Sequence, residues 1–267
     1  MQQWTIEGPE QLTFGPVDAL DVRIVAGRLA VLASDGPPTL EVTEFDSGTP
    51  LLVTYDEESR ELSVTYKDLT WDGLLGWLRR DRRRTVATLT VPRHCTVNAG
   101  VVTASAVVAG FERMTQVRSV SGEIVLDGVS GEVSATTASG DVETRAMEGD
   151  LSFKSVSGEL TVAGGTPRRL RANTVSGRIT ADLRLRPTGH VTLHSMSGAI
   201  LVRLPENSQA DVAVKSTSGR LVSSFDEVSK SSGPATKSMT GRLGGGMASL
   251  TATTVSGDVT LLKGEKQ

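Results

Sequence analysis

Ser121-Gly122-Glu123-Ile124-Val125-Leu126-Asp127-Gly128-Val129-Ser130-Gly131-Glu132-Val133-Ser134-Ala135 decides the fold of this chain. Its opening tetrad, Ser-Gly, one spacer and an aliphatic residue, returns as Ser139-Gly140-Asp141-Val142, Ser157-Gly158-Glu159-Leu160, Ser176-Gly177-Arg178-Ile179, Ser197-Gly198-Ala199-Ile200, Ser218-Gly219-Arg220-Leu221 and Ser256-Gly257-Asp258-Val259. From Gly122 the glycines advance by 18, 18, 19, 21 and 21 residues to Gly219, with Gly131 and Gly149 at half-period. That step is the size of one solenoid coil and too short for a helical repeat.

The second and fourth residues after each glycine are apolar or small between polar neighbours: Ile124 and Leu126, Val133 and Ala135, Val142 and Thr144, Leu151 and Phe153, Leu160 and Val162, Ile200 and Val202. Alternation with period two marks strands buried on one face. A second set, such as Val191 and Leu193 or Val212 and Val214, precedes Ser-Gly, so each coil carries two strands. Punctuation every nine residues, not six, favours two strands per coil over the three of a hexapeptide helix. The repeat glycines Gly122, Gly131, Gly140, Gly149, Gly158, Gly177, Gly198, Gly219 and Gly257 supply positive φ or room for a neighbouring backbone. The preceding Ser bonds its own turn or its counterpart one coil away. One coil cannot bury its own apolar face, but stacked coils share a core of Ile, Val and Leu columns. The prediction is an all-β protein, a parallel β-solenoid (β-helix) of 18–21-residue coils over residues 96–263.

Residues 1–95 read as an N-terminal β region that begins and caps the solenoid, with strand-like runs at 22–31, 39–45, 51–55, 61–66 and 85–91 between Gly, Pro and Asp turns. Residues 264–267 form a polar tail. Loops leave the solenoid at 163–167, 186–189 and 204–207, and the Ser- and Lys-rich stretch 226–240 predicts a flexible excursion.

A hydrophobic content of 38% with 28 glycines in 267 residues suits one or two folded domains. The 28 basic and 31 acidic residues, net charge -3, give no overall bias toward nucleic acid or anionic membrane. The single cysteine, Cys95, excludes an internal disulfide and fits a reducing compartment. Residues 1–9 show neither a basic leader nor an apolar stretch, and no run approaches the roughly 20 apolar residues of a membrane span. A cytoplasmic protein is expected, peripheral to the membrane where it meets one.

The most unusual segment is 69–84. Trp71, Leu74, Leu75 and Leu78 form an i, i+3, i+4, i+7 stripe, accompanied by Trp77 and followed by Arg79, Arg80, Arg82, Arg83 and Arg84. One reading is contact with a membrane surface or a protein partner, since Trp and Leu suit the interface and clustered Arg attracts anionic headgroups. The other is a short structural cap whose arginines stay solvated. No second basic face is evident, so no nucleic-acid partner is expected.

Chemistry is sparse. The residue after the glycine is acidic at Glu123, Glu132, Asp141, Asp150 and Glu159, then basic at Arg178, Arg220 and Arg242. One acid per half-coil is too few for a calcium β-roll and reads as a solvated ladder, so neither metal nor cofactor is expected. His190 and His194 lie four apart in a strand, where that spacing does not give the shared face of a helical metal pair. Cys95 and His94 are adjacent and point to opposite faces, which favours a buried cysteine over a nucleophile. There is no phosphate loop, G-x-S-x-G elbow or dinucleotide fingerprint, and the reading is non-enzymatic, with no small-molecule substrate identified.

The tandem Val-Ser-Gly-Glu-Ile at 120–124, Val-Ser-Gly-Glu-Val at 129–133 and Ala-Ser-Gly-Asp-Val at 138–142, with the Val91-Pro92 strand end and its Arg-rich loop, resemble the bacterial adhesin-like β-strand-repeat family, a domain of unknown function. The resemblance runs from Val17 to Leu262. It implies an adhesin-like β-solenoid without defined catalytic residues and, for some relatives, a place in envelope-stress systems. The expected function is a non-enzymatic scaffold or interaction protein that meets a protein partner or the inner membrane surface. The alternatives are self-assembly through an exposed terminal coil, and carbohydrate binding or cleavage, for which 4% aromatics offer little stacking surface.

Overall fold

The computed structural model describes residues 1–66, 83–233 and 236–265. Among them all regular structure is β-strand, in two compact units, Met1–Val125 and Leu126–Gln267.

In the first unit the chain runs through β1 (Gln2–Ile6), β2 (Glu10–Thr13), β3 (Ala19–Ile24), β4 (Ala26–Ala33), β5 (Thr39–Asp46), β6 (Leu51–Asp56), β7 (Glu61–Tyr66), β8 (Arg84–Val91), β9 (Thr96–Val101), β10 (Ser105–Ala109) and β11 (Thr115–Ser119), with β12 (Ile124–Asp127) at the division. One ladder takes the order β1, β6, β7, β3, β9, β11. The other takes β2, β5, β8, β4, β10. In each ladder the first two pairings are antiparallel and the rest parallel. The run expected at 22–31 is two strands in different ladders. Near that corner Gly27 holds φ at 110°, and a side chain there would overlap the Thr85 carbonyl alongside. Alternate residues point inward: Leu20, Val22 and Ile24 from β3, Leu29 and Val31 from β4, and Val97 and Ala99 from β9 are all buried. Each large aliphatic so buried contributes about 1.5–3 kcal/mol.

The second unit continues with β13 (Glu132–Thr137), β14 (Val142–Arg145), β15 (Glu148–Ser155), β16 (Leu160–Thr174), β17 (Ile179–Leu183), β18 (His190–Ser195), β19 (Ile200–Pro205), β20 (Ala210–Ser216), β21 (Leu221–Ser223), β22 (Val228–Ser232), β23 (Lys237–Leu243), β24 (Ala248–Thr254) and β25 (Val259–Gly264). Successive repeats pair in parallel, Val142 opposite Leu160, Leu160 opposite Ile179 and Ile179 opposite Ile200. The strand before each Ser-Gly joins one ladder and the strand after it joins the other, a β-solenoid-like arrangement. The core columns are those the alternation marks. Leu151, Leu170, Val191 and Leu250 stack on one side, and Leu160, Ile179, Ile200 and Val259 on the other, each at most 2% exposed.

Besides 163–167, expected as a loop and found inside β16 where that strand passes from one ladder to the other, two features depart from the sequence expectations. Stacking does not follow chain order. The last strand pair, β24–β25, lies between β18–β19 and β20–β21. In the first unit β3–β4 lies likewise between β7–β8 and β9–β10. Coil edges of like sequence accept one another whatever their place in the chain, so order is set by the connections and not by the repeat. The second departure is at 226–240, expected as a flexible excursion. It holds β22 and the start of β23, a hairpin antiparallel to β20. Among its described residues only Val228 and Met239 are buried, so its composition reads as loop while its backbone completes a sheet. The hairpin covers the β20 edge that would otherwise recruit another strand.

Candidate interaction surface

Six Ser-Gly corners of the second unit are built from four residues, Ser/Thr-x-Ser-Gly. The first is a buried or half-buried hydroxyl that accepts the glycine N–H: Thr137 from Gly140 at 2.8 Å, Ser155 from Gly158 at 2.7 Å, Thr174 from Gly177 at 3.0 Å, Ser195 from Gly198 at 2.8 Å, Ser216 from Gly219 at 2.9 Å and Thr254 from Gly257 at 3.0 Å. The Ser before glycine is exposed. Its N–H donates to the next corner's carbonyl, Ser176 to Val156 and Ser197 to Val175 at 2.9 Å each. The glycine has no room for a side chain. A Cβ on Gly158 would overlap the Gly140 carbonyl, one on Gly177 that of Gly158, and one on Gly198 that of Gly177. These glycines therefore serve close backbone approach, while the half-period Gly131 and Gly149 hold the left-handed conformation, at φ 81° and 87°, and Gly149 in addition lies against the Gly131 carbonyl.

With a hydroxyl inside, the next residue points out. That position carries Val156, Val175, Met196 and Val255, exposed by 58%, 45%, 58% and 50%. They are successive neighbours, linked by Met196 N–H donating to the Val175 carbonyl at 3.2 Å and Val255 N–H to that of Met196 at 3.1 Å. Four aliphatic side chains thus form a ridge with about 4.8 Å between corners. Ser157, Ser176, Ser197 and Ser256 border it on one side and Lys154 and His194 on the other, all exposed. The ladder ends at Gly219, where the Lys237 ammonium donates to the Ser218 and Gly219 carbonyls at 3.2 and 3.1 Å.

The ridge was legible and missed. All seven of the Ser-Gly tetrads that mark the coils have Ser or Thr two residues before the serine, and an aliphatic residue fills most of the positions between.

The acidic positions after glycine also act locally. Asp141 accepts the Glu159 N–H at 2.8 Å and Asp258 the Arg220 N–H at 2.7 Å. Asp150 accepts from Arg168 at 2.9 and 2.7 Å, and that bond, with Arg169 nearby, holds its carboxyl below the usual carboxylate range.

Of the Trp/Arg segment, Trp71, Leu74, Leu75, Trp77, Leu78, Arg79, Arg80 and Arg82 lie outside the described residues. Arg83 sits 5.6 Å from the ring centroid of Tyr66, and Arg84 is 3.7 Å from Glu44. Tyr66 is buried, its hydroxyl 2.6 Å from Thr85 Oγ1.

Cys95 is fully buried, and that burial together with the Asp18 carboxylate pushes its thiol up to about 12, unsuited to nucleophilic work near neutral pH. His94 faces Asp18 at 3.3 Å, while His190 and His194 are exposed. Among the described residues no group of three His, Cys, Asp or Glu side chains is placed to hold a metal, and no helix is long and apolar enough to cross a membrane.

No curated protein matches the sequence. Among solved structures, one described as a putative adhesin from Bacteroides fragilis aligns at 10% identity and TM-score 0.50 over 97% of each chain. A putative adhesin from Parabacteroides distasonis aligns at 13% identity and TM-score 0.46 over 98% of this chain and 97% of that one. A putative lipid binding protein from the same organism aligns at 14% identity and TM-score 0.44 over 96% and 97%. At such identities the first of these supports the fold alone. The sequence profile of Toastrack DUF4097 matches residues 39–262, most of the chain, and the protein belongs to that family.

Proposed function

We propose that the protein is a non-enzymatic, adhesin-like interaction protein whose second unit meets a partner protein through the Val156, Val175, Met196 and Val255 ridge. The observation that carries this is an inversion of the usual pattern. At each of these corners the fold turns a hydroxyl inward and exposes an aliphatic side chain, and repetition aligns four of them. An apolar strip with a polar border is the anatomy of a protein contact. The buried, protonated Cys95 thiol and the solvated histidines favour binding over catalysis.

A photo-crosslinking side chain placed at Val175, compared with one at the outward Thr180 of β17, tests the reading in bacterial cells. Adducts with the same identified protein from Val175, lost when Met196 and Val255 are changed to Ser, are expected. Equal labelling from both positions would remove the ridge from the function.

A further inference from the structure

The connections that carry the chain from the second ladder back to the first lie on the other edge of the second unit from the Ser-Gly corners. Two of them, around residues 184–189 and 205–209, together with the 244–247 turn that joins β23 to β24 within the first ladder, line a cleft of about 320 Å³. Its walls are tied together by backbone bonds. Thr188 N–H donates to the Met247 carbonyl at 3.2 Å, Ala248 N–H to that of Gln209 at 3.0 Å, and Ser208 N–H to that of Pro205 at 3.0 Å. Thr188 holds φ at 63°, a left-handed conformation that costs a non-glycine residue about 1–2 kcal/mol and persists only where its surroundings impose it. Pro187 and Pro205 stiffen two of the walls. The cleft is therefore preformed, which lowers the entropy cost of filling it.

Its lining is of two kinds, with Leu185, Pro187, Pro205 and Met247 apolar and Asn207, Ser208 and Gln209 polar. Arg184 joins them and also lines a second cleft, of 430 Å³, on its far side. Neighbouring arginines are spoken for. Arg203 is paired with Asp182, and Arg186 with Glu148 at 2.7 Å. Among the described residues the Arg184 guanidinium has neither acid nor hydrogen-bond partner. An exposed guanidinium between amides and aliphatic side chains suits a carboxylate carried on a small aliphatic body. The carboxylate takes the paired N–H groups of Arg184, and the body lies on Leu185 and Met247. No aromatic ring lines the cleft, so sugars and nucleobases find no stacking surface.

We propose that this cleft is a binding site for an aliphatic carboxylate of amino-acid size, either a free branched-chain acid or the C-terminus of a peptide ending in an aliphatic residue. The site is independent of the ridge, and its test is separate. N-acetylleucine, its C-terminal amide and the tripeptide Ala-Ala-Leu are titrated into isotope-labelled full-length protein while backbone amide resonances are followed. N-acetylleucine should shift Thr188, Ser208 and Ala248, the amide should not, and Arg184→Gln should weaken the response by about tenfold or more with the spectrum elsewhere unchanged. Arg184→Lys, which keeps the charge and loses the paired geometry, should fall between them. Tighter binding of Ala-Ala-Leu than of N-acetylleucine identifies a peptide terminus, and equal binding a free acid. Absence of shifts at these amides, equal shifts with the amide, or indifference to Arg184→Gln overturns the proposal.

Discussion

Gly257 lies directly against the carbonyl of Gly198, although Gly219 comes between them in the chain, and Gly219 in turn lies against Gly257. The final repeat is therefore wedged between two earlier ones, held by backbone approaches that leave no space for a methyl group. Gly257→Ala should destabilise the protein by about 1–3 kcal/mol, the usual cost of forcing a methyl into a packed site. The gain of about 0.4–1 kcal/mol that Ala brings by stiffening the unfolded chain is too small to offset it. Gly48 isolates that smaller effect, since nothing lies within 4 Å of a Cβ there. Denaturant unfolding should show Gly48→Ala unchanged or slightly stabilised beside a clearly weakened Gly257→Ala, and equal effects would refute the close-approach account.

The two hydroxyls of a corner should differ sharply in worth. Thr174 is 7% exposed and accepts the buried Gly177 N–H at 3.0 Å. Thr174→Val keeps the shape and orphans that donor, at a cost of about 1–3 kcal/mol. Ser176 is exposed, and its hydroxyl makes only a long bond of 3.3 Å to the Val156 carbonyl. Ser176→Ala should stay within about 0.5 kcal/mol of the parent in the same unfolding measurement.

That contrast shows where sequence reading succeeds and where it stops. Period-two alternation around the glycines placed Leu160, Ile179 and Ile200 in one column because burial of one strand face is a local property. It could not place β24–β25 beside β18–β19. Which coil stacks on which depends on connections whose path no single repeat encodes. Stretch 226–240 was obscure for a related reason, since a strand covering an edge is held by its backbone and needs few apolar side chains. The ridge was obscured by its polarity. A rule that sends Val inward and Ser outward fails at a corner where the glycine N–H needs an internal acceptor. Most of the tryptophan and arginine segment lies outside the described residues, so the site that the composition singled out contributes only Arg83 and Arg84 to the described contacts.

The Asp150 and Arg168 pair gives stability a pH dependence of known sign. The hydrogen bond from Arg168 depresses the carboxyl in the folded state. Its contribution is complete above the ordinary carboxylate range near about pH 4 and is lost as pH falls through the lower folded value. Asp150→Asn should thus be modestly weaker than the parent at neutral pH, the two converging in acid. The pair is partly open to water, so the difference should shrink in high salt. Thermal unfolding across pH and salt reads both trends, and a gap that widens in acid would contradict the sign.

Edge protection by β22–β23 can be tested through Met239, which is fully buried on the hairpin while its neighbours are polar. Met239→Asp places a charge in an apolar site and leaves Val228 and Leu243 as the buried apolar side chains that hold β22 and β23. The expected result is release of the hairpin with the parallel strands beneath intact. The β20 backbone would then be open from Ala210 to Ser216, the length over which it pairs β23. An uncovered edge of seven residues recruits further strands, so the apparent mass by light scattering should rise with concentration in the variant beyond that of the parent. Hydrogen exchange separates this from general unfolding, since amides of β18 and β24 should remain protected while those of β22 and β23 exchange. Ser231→Lys, on the exposed face of the same hairpin, should change neither quantity. If the Met239 variant loses hairpin protection yet keeps the mass of the parent at every concentration, the hairpin does not guard the sheet against self-association.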